Sequence, residues 1–77
     1  MSDRLINVFS TVLSVDPAGL SDETSPDNCD SWDSLAAMNL VAALEESFGV
    51  HLTTREIMKM ASIGLARATL QKKGADI

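Results

Sequence analysis

The chain has one cysteine, one histidine, no tyrosine, two phenylalanines and one tryptophan. A single cysteine excludes an internal disulfide framework, and a single histidine excludes most metal sites. Basic residues are scarce, six against eleven acidic ones, for a net charge of -5. A nucleic-acid binder needs a basic face to displace counterions from phosphates, so no nucleic-acid partner is expected. No apolar run approaches the roughly 18 residues of a membrane span, and the first residues form no signal-type apolar block. A soluble cytoplasmic domain without a membrane partner is therefore expected. What is present is 45% hydrophobic residues in 77 positions. That is enough to fold, but only around one thin core, so a single domain over residues 1–77 is expected.

The charge is unevenly placed. Residues 14–33 hold Asp16, Asp22, Glu23, Asp27, Asp30 and Asp33 with no base, whereas the last sixteen residues are net positive. Basic partners should be drawn to the acidic segment.

Hydrophobic spacing predicts an all-α fold of four helices, at about 3–14, 34–48, 53–60 and 62–73. In the first, Leu5, Ile6, Val8, Phe9, Val12 and Leu13 recur at helical spacing after a Ser2 or Asp3 cap. From Val15 to Asp33 the periodicity vanishes, and Pro17, Gly19, Pro26 and many Asp, Ser and Asn residues favour turns. Leu20, Cys29 and Trp32 are the apolar anchors that would order this long loop. In the second helix, Ala37, Leu40, Val41, Leu44 and Phe48 share an inward face, with Leu35, Asn39, Ala42 and Glu46 opposite and Met38 at the boundary. Gly49 suits its end. Thr53-Thr54-Arg55-Glu56 has the spacing of a capping box and opens a short third helix. Ser62 caps the last, which buries Ile63, Ala66 and Leu70 and stops at Gly74.

Asp30-Ser31-Trp32-Asp33-Ser34-Leu35 joins the acidic loop to the longest helix, which continues through Leu40-Val41, Leu44-Glu45-Glu46 and Phe48. The free N–H groups and positive dipole end of such a helix favour a phosphate attached there. This segment resembles the prosthetic-group attachment motif of acyl carrier proteins, Asp-Ser-Leu-Asp/Glu-Ser-Leu followed by Leu-Val-x-x-Leu-Glu-Glu-x-Phe. The similarity runs without gaps over about residues 3 to 72. It implies an acyl-carrier four-helix bundle in which Ser34 is esterified with 4′-phosphopantetheine, taken from coenzyme A by a separate phosphopantetheinyl transferase. The thiol of that arm would carry acyl groups as thioesters to acyl-transferring or condensing enzymes of fatty-acid, polyketide or related biosynthesis. The resemblance also makes Asp33 the motif residue that positions the transferase. Ser34 is preferred to Ser31 because the helical pattern begins at once after it. Without the surrounding match, both Asp33 and Ser34 would read as ordinary capping residues.

The same resemblance makes Leu35, Met38, Asn39, Ala42 and Glu46 the face that meets partner enzymes. Here the chain departs from the common fatty-acid pattern: Ala36 and Asn39 stand where acids are usual, and Ala42 replaces a large apolar contact. His51, Arg55 and Lys59 occupy a typically acidic region. Basic docking patches on generic enzymes should grip this face weakly, which points to a specialised carrier. Met38, Leu44, Ile57, Met58, Met60 and Ile63 are candidates to line an acyl-chain slot, against the plainer reading that they are core. Trp32 is expected to anchor the loop and His51 to be a surface residue. Cys29 is not the working thiol, although in air it could link two copies of an otherwise monomeric chain.

Two other classes remain open on the residues alone. One is an acidic helical interaction domain whose serine is never modified, and another is a carrier for aminoacyl cargo. An enzyme is not expected, because no catalytic constellation can be built from one histidine and one cysteine.

Overall fold

The computed structural model describes residues 3–75. Four helices follow in chain order: α1 Arg4–Leu13, α2 Ser34–Phe48, α3 Thr54–Lys59 and α4 Ile63–Lys72, with a single 3-10 turn at Pro17–Gly19. No strand occurs among the described residues, and none of their helices is long and apolar enough to cross a membrane.

Each helix begins on the cap that its sequence offers. The Asp3 carboxylate accepts from the N–H groups of Leu5 and Ile6, Asp33 from Ala36, and Ser62 from Leu65. Thr53 and Glu56 form the reciprocal capping box, each side chain accepting from the other residue's backbone N–H. These bonds satisfy donors that a helix start otherwise leaves unpaired. Gly49 closes α2 at φ 64°, where a Cβ would be strained. Ser14 ends α1 in the same left-handed region at φ 57°.

Helix α1 packs on α2 and α4, and the short α3 packs on α4. The core is Leu5, Phe9 and Leu13 of α1, Ala36, Leu40 and Leu44 of α2, Ile63, Ala66 and Leu70 of α4, plus Trp32 and Leu52 from the loops. Helix α3 contributes no fully buried side chain. It is held by half-buried Ile57 and Met60, and by the Lys73 ammonium donating to both carboxylate oxygens of Glu56 at 2.8 and 2.9 Å.

The inward face of α2 is rotated from the sequence reading. Ala36 is buried, whereas Ala37, Val41 and Phe48 are only half-buried. Phe48 lies at the end of the bundle, where the Arg4 guanidinium stacks 4.8 Å from its ring centroid and donates to the Ser47 carbonyl. The ring is thus the lid on one end of the core.

The long loop is ordered by more than its apolar anchors. Trp32 is buried, its ring centroid 5.2 Å from that of Phe9, and Leu20 and Cys29 pack at the core's edge. The loop backbone is also bonded to the start of α4: Ile63 N–H donates to the Thr24 carbonyl at 3.0 Å, and Gly64 N–H to the Asp22 carbonyl at 2.9 Å. Thr24 is itself buried, its hydroxyl accepting from Ser21 N–H. A Cβ on Gly64 would stand 3.0 Å from the Asp22 carbonyl oxygen, so any other residue would push the loop back by a few tenths of an ångström. Arg67 completes the junction, donating to Asp3 at 2.7 Å and Asp22 at 2.9 Å.

Burial sets the expected costs of truncation. Phe9→Ala removes a fully buried ring and should cost about 3–5 kcal/mol. Phe48→Ala should cost only about 1–2 kcal/mol, from partial transfer and a lost cation–π contact. Urea titration checks the order, with Phe9→Leu as the milder probe where Phe9→Ala does not fold; equal losses at the two positions would contradict the assignment of core and lid.

Candidate functional site: the start of helix α2

Ser34 is the first residue of α2 and is solvent-exposed. The Asp33 carboxylate accepts from Ala36 N–H at 2.8 Å, and the Asp33 carbonyl accepts from Ala37 N–H at 2.9 Å. Among the described residues, the N–H groups of Ser34 and Leu35 find no protein acceptor. The serine hydroxyl therefore stands where two free amides and the positive end of a 15-residue helix favour an attached anion. Beside it lies a cleft of about 290 Å³, lined by Pro26, Trp32, Asp33, Ser34 and Ala37. Ser31 is also exposed, but it lies in the turn before the helix.

Ala37 joins this cleft to a second hollow between α2 and α3, about 280 Å³ and lined by Ala37, Met38, Val41 and Ile57. Of the six slot candidates, the structure brings together only Met38 and Ile57 here. Leu44 and Ile63 are fully buried core residues, Met58 is 78% exposed and points away into solvent, and Met60 is half-buried at the core's edge. Helical spacing showed that these residues are apolar, but not which side of α3 each occupies. Ala37 and Val41 complete the lining; the sequence reading places both on the inward face of α2, and the structure leaves them half-buried.

Leu35, Met38, Asn39, Ala42 and Glu46 are all exposed, as one continuous stripe. Ala36 is not part of that surface. It faces the core, so an acid placed there would have to leave water, whereas one at Asn39 would not. His51 is exposed, its Nδ1 3.4 Å from a Glu45 oxygen that also accepts from Leu52 N–H. Glu45 thereby fastens the α2–α3 connection to α2. Among the described residues no group of three or more ligating side chains could hold a metal ion.

A family described as "Phosphopantetheine attachment site" matches residues 3–66. The chain belongs to the acyl carrier protein family. It is 35% identical over 66 residues to "Acyl carrier protein 2, mitochondrial" of Arabidopsis thaliana, covering 86% of this chain and 52% of that protein. The chain thus spans about half the length of that curated relative. It also superposes on the solution structure of a holo acyl carrier protein from Geobacter metallireducens, with TM-score 0.80 and 33% identity, covering 90% of this chain and 79% of that one. Domains of this family are carriers rather than enzymes, and their cofactor is covalent 4′-phosphopantetheine. They work with a phosphopantetheinyl transferase and with biosynthetic enzymes. The residues at the head of α2 fit such a group: an exposed hydroxyl, free amides for a phosphodiester, and an open cleft alongside.

Two measurements probe the supports of this site. Asp33→Ala removes the α2 cap and should cost about 1 kcal/mol, read by urea titration, and fray the first turn, read by faster amide exchange at Ala36. The second concerns acid. Lys73, then the Thr53 N–H, hold the Glu56 carboxyl down from its ordinary 4.5 to about 2, and the Arg67 guanidinium holds Asp3 below the usual carboxylate range. Both are depressed in the folded state, so their stabilisation is present above the ordinary carboxylate pKa and lost as pH falls toward the folded value. Wild type should lose stability between about pH 4.5 and 2, and Glu56→Gln should lose less over the same interval. Parallel curves would show that this ion pair contributes nothing to folding.

Proposed function

We propose that Ser34 carries the 4′-phosphopantetheine, and that the domain acts as a monomeric acyl carrier delivering cargo between enzymes of fatty-acid, polyketide or related biosynthesis. The observation that carries this reading is the exposed Ser34 hydroxyl in the first turn of α2, flanked by unpaired amides, in a chain of the carrier family. Once attached, the group supplies a terminal thiol that holds an acyl chain as a thioester.

The chain's own residues then have limited tasks. Asp33 holds the first turn in shape by capping Ala36 and presents a carboxylate beside the hydroxyl for the transferase. The amides of Ser34 and Leu35 favour the phosphodiester. Ala37, Met38, Val41 and Ile57 offer an apolar groove to the cargo, which favours hydrocarbon acyl chains over polar aminoacyl groups. The chain's one imidazole is not placed to take the Ser34 proton: His51 lies beyond the other end of α2. The base and the Mg²⁺ belong to the modifying enzyme. A working thiol and the free Cys29 both suit a reducing compartment, and we place the carrier in the cytoplasm.

The test is intact mass after incubation with coenzyme A, Mg²⁺ and a promiscuous phosphopantetheinyl transferase. Wild type and Ser31→Ala should each gain one phosphopantetheine, and Ser34→Ala none. Absence of the added mass on a folded wild type would favour an unmodified acidic interaction domain instead.

A further inference from the structure

The cleft beside Ser34 suits something other than a charge. Its walls are Pro26, Trp32, Asp33, Ser34 and Ala37, around a space of about 290 Å³. Three of the five are apolar and none is cationic. Asp27, Asp30 and Asp33 are exposed in the same stretch of loop, and residues 14–33 hold no base. A phosphate is therefore repelled from the cleft and favoured at the free amides of α2. An uncharged, partly apolar group fits these walls better. Their volume lies at the low edge of small-molecule sites, roughly 300–1,000 Å³, so they take a short segment rather than a whole cofactor with cargo.

Trp32 gives the cleft its one aromatic wall. Only 7% of the residue is exposed, and its ring packs on Phe9 with centroids 5.2 Å apart. The core thus fixes this wall before any group reaches it, and little order has to be imposed on binding. Pro26 is exposed and adds a second rigid ring. Ser34 is itself part of the lining, so whatever is attached to its hydroxyl starts at this cleft. In 4′-phosphopantetheine the phosphorus is joined, through one oxygen and one methylene, to a carbon bearing two methyl groups. That dimethyl carbon is the arm's only branched apolar segment. The tether brings it to the cleft at a high effective concentration.

We propose that Trp32 and Pro26 form a seat for the dimethyl segment of the arm, on the loop side of Ser34. The proposal rests on the carrier reading and deepens it, since it names residues that hold the attached group. Its cause is burial of two methyl groups on a preformed apolar wall, while the charged phosphodiester stays at the α2 amides. An arm held in this way pivots beyond the dimethyl carbon instead of at the phosphorus. Ala37 borders both this cleft and the α2–α3 hollow, so the remainder of the arm is free to cross toward that hollow. The seat engages a segment common to every loaded form and is indifferent to the cargo.

The full chain, loaded from coenzyme A by a promiscuous transferase and checked by intact mass, serves for the test. Nuclear Overhauser contacts of the two arm methyls are recorded on the form with a free terminal thiol. They should run to the Trp32 ring protons, and the methyl resonances should move from their positions in free coenzyme A. Trp32→Leu should return them toward those positions. Where that variant does not fold, Pro26→Ala, at an exposed position, should weaken the same contacts with an unchanged urea midpoint. A folded, loaded chain whose arm methyls touch Met38 or Val41 instead of Trp32, or touch nothing, overturns the seat and leaves the carrier reading standing. A folded chain that gains no arm overturns the carrier reading and the seat with it. Intact mass separates the two failures.

Discussion

Two hydrogen bonds between loop carbonyls and the first turn of α4 make the rest of the architecture possible. A connection of twenty residues carries a backbone that must be satisfied somewhere, and in a domain this small there is little core to hold it by side chains alone. The chain solves two problems with one junction. The amides of Ile63 and Gly64, unpaired by helix geometry, receive the carbonyls of Thr24 and Asp22. The loop gains a fixed point, and α4 gains a start made partly of backbone. Arg67, gripping Asp22 and Asp3, ties the same junction to α1. With its middle fixed, the loop delivers Trp32 onto Phe9 and Asp33 onto the first turn of α2.

The helices are not held equally. α1, α2 and α4 each bury three residues in the common core, and α3 buries none. Its retention depends on Glu56, which both closes the capping box with Thr53 and pairs with Lys73, together with Ile57 and Met60. Elements held in this way lie toward the low end of local stability. The groove beside Met38 has α2 as its firm wall and α3 as its yielding one. Were the groove to receive acyl cargo, as proposed, one wall of each kind would suit chains of differing shape.

The helices were legible from sequence because their signals are local. Asp3, Asp33, Thr53 and Ser62 were readable as helix starts, and Gly49 and Gly74 as stops, since capping chemistry needs particular side chains within a few residues. The position of Ser34 at the head of the longest helix followed from the same signals. What escaped was long-range. Carbonyl-to-amide bonds between residues 22–24 and 63–64 involve no distinctive side chain, so only Gly64, an otherwise unexplained glycine in a helix start, hinted at them. The rotation of α2 that buries Ala36 and half-exposes Val41 and Phe48 depends on where α1 crosses it, which periodicity cannot supply when most positions are apolar. For the same reason Leu44 and Ile63 looked interchangeable with Ile57 as groove residues, although two are core and one is at the surface.

Trp32 is the sole tryptophan, its ring tilted at 60° to that of Phe9 in the interior and also forming part of the wall of the Ser34 cleft. The indole thus spans the boundary between the folding core and the Ser34 cleft. Its emission is a built-in optical gauge of that cleft, since a group settling against the indole would alter the polarity seen by the ring without any extrinsic dye.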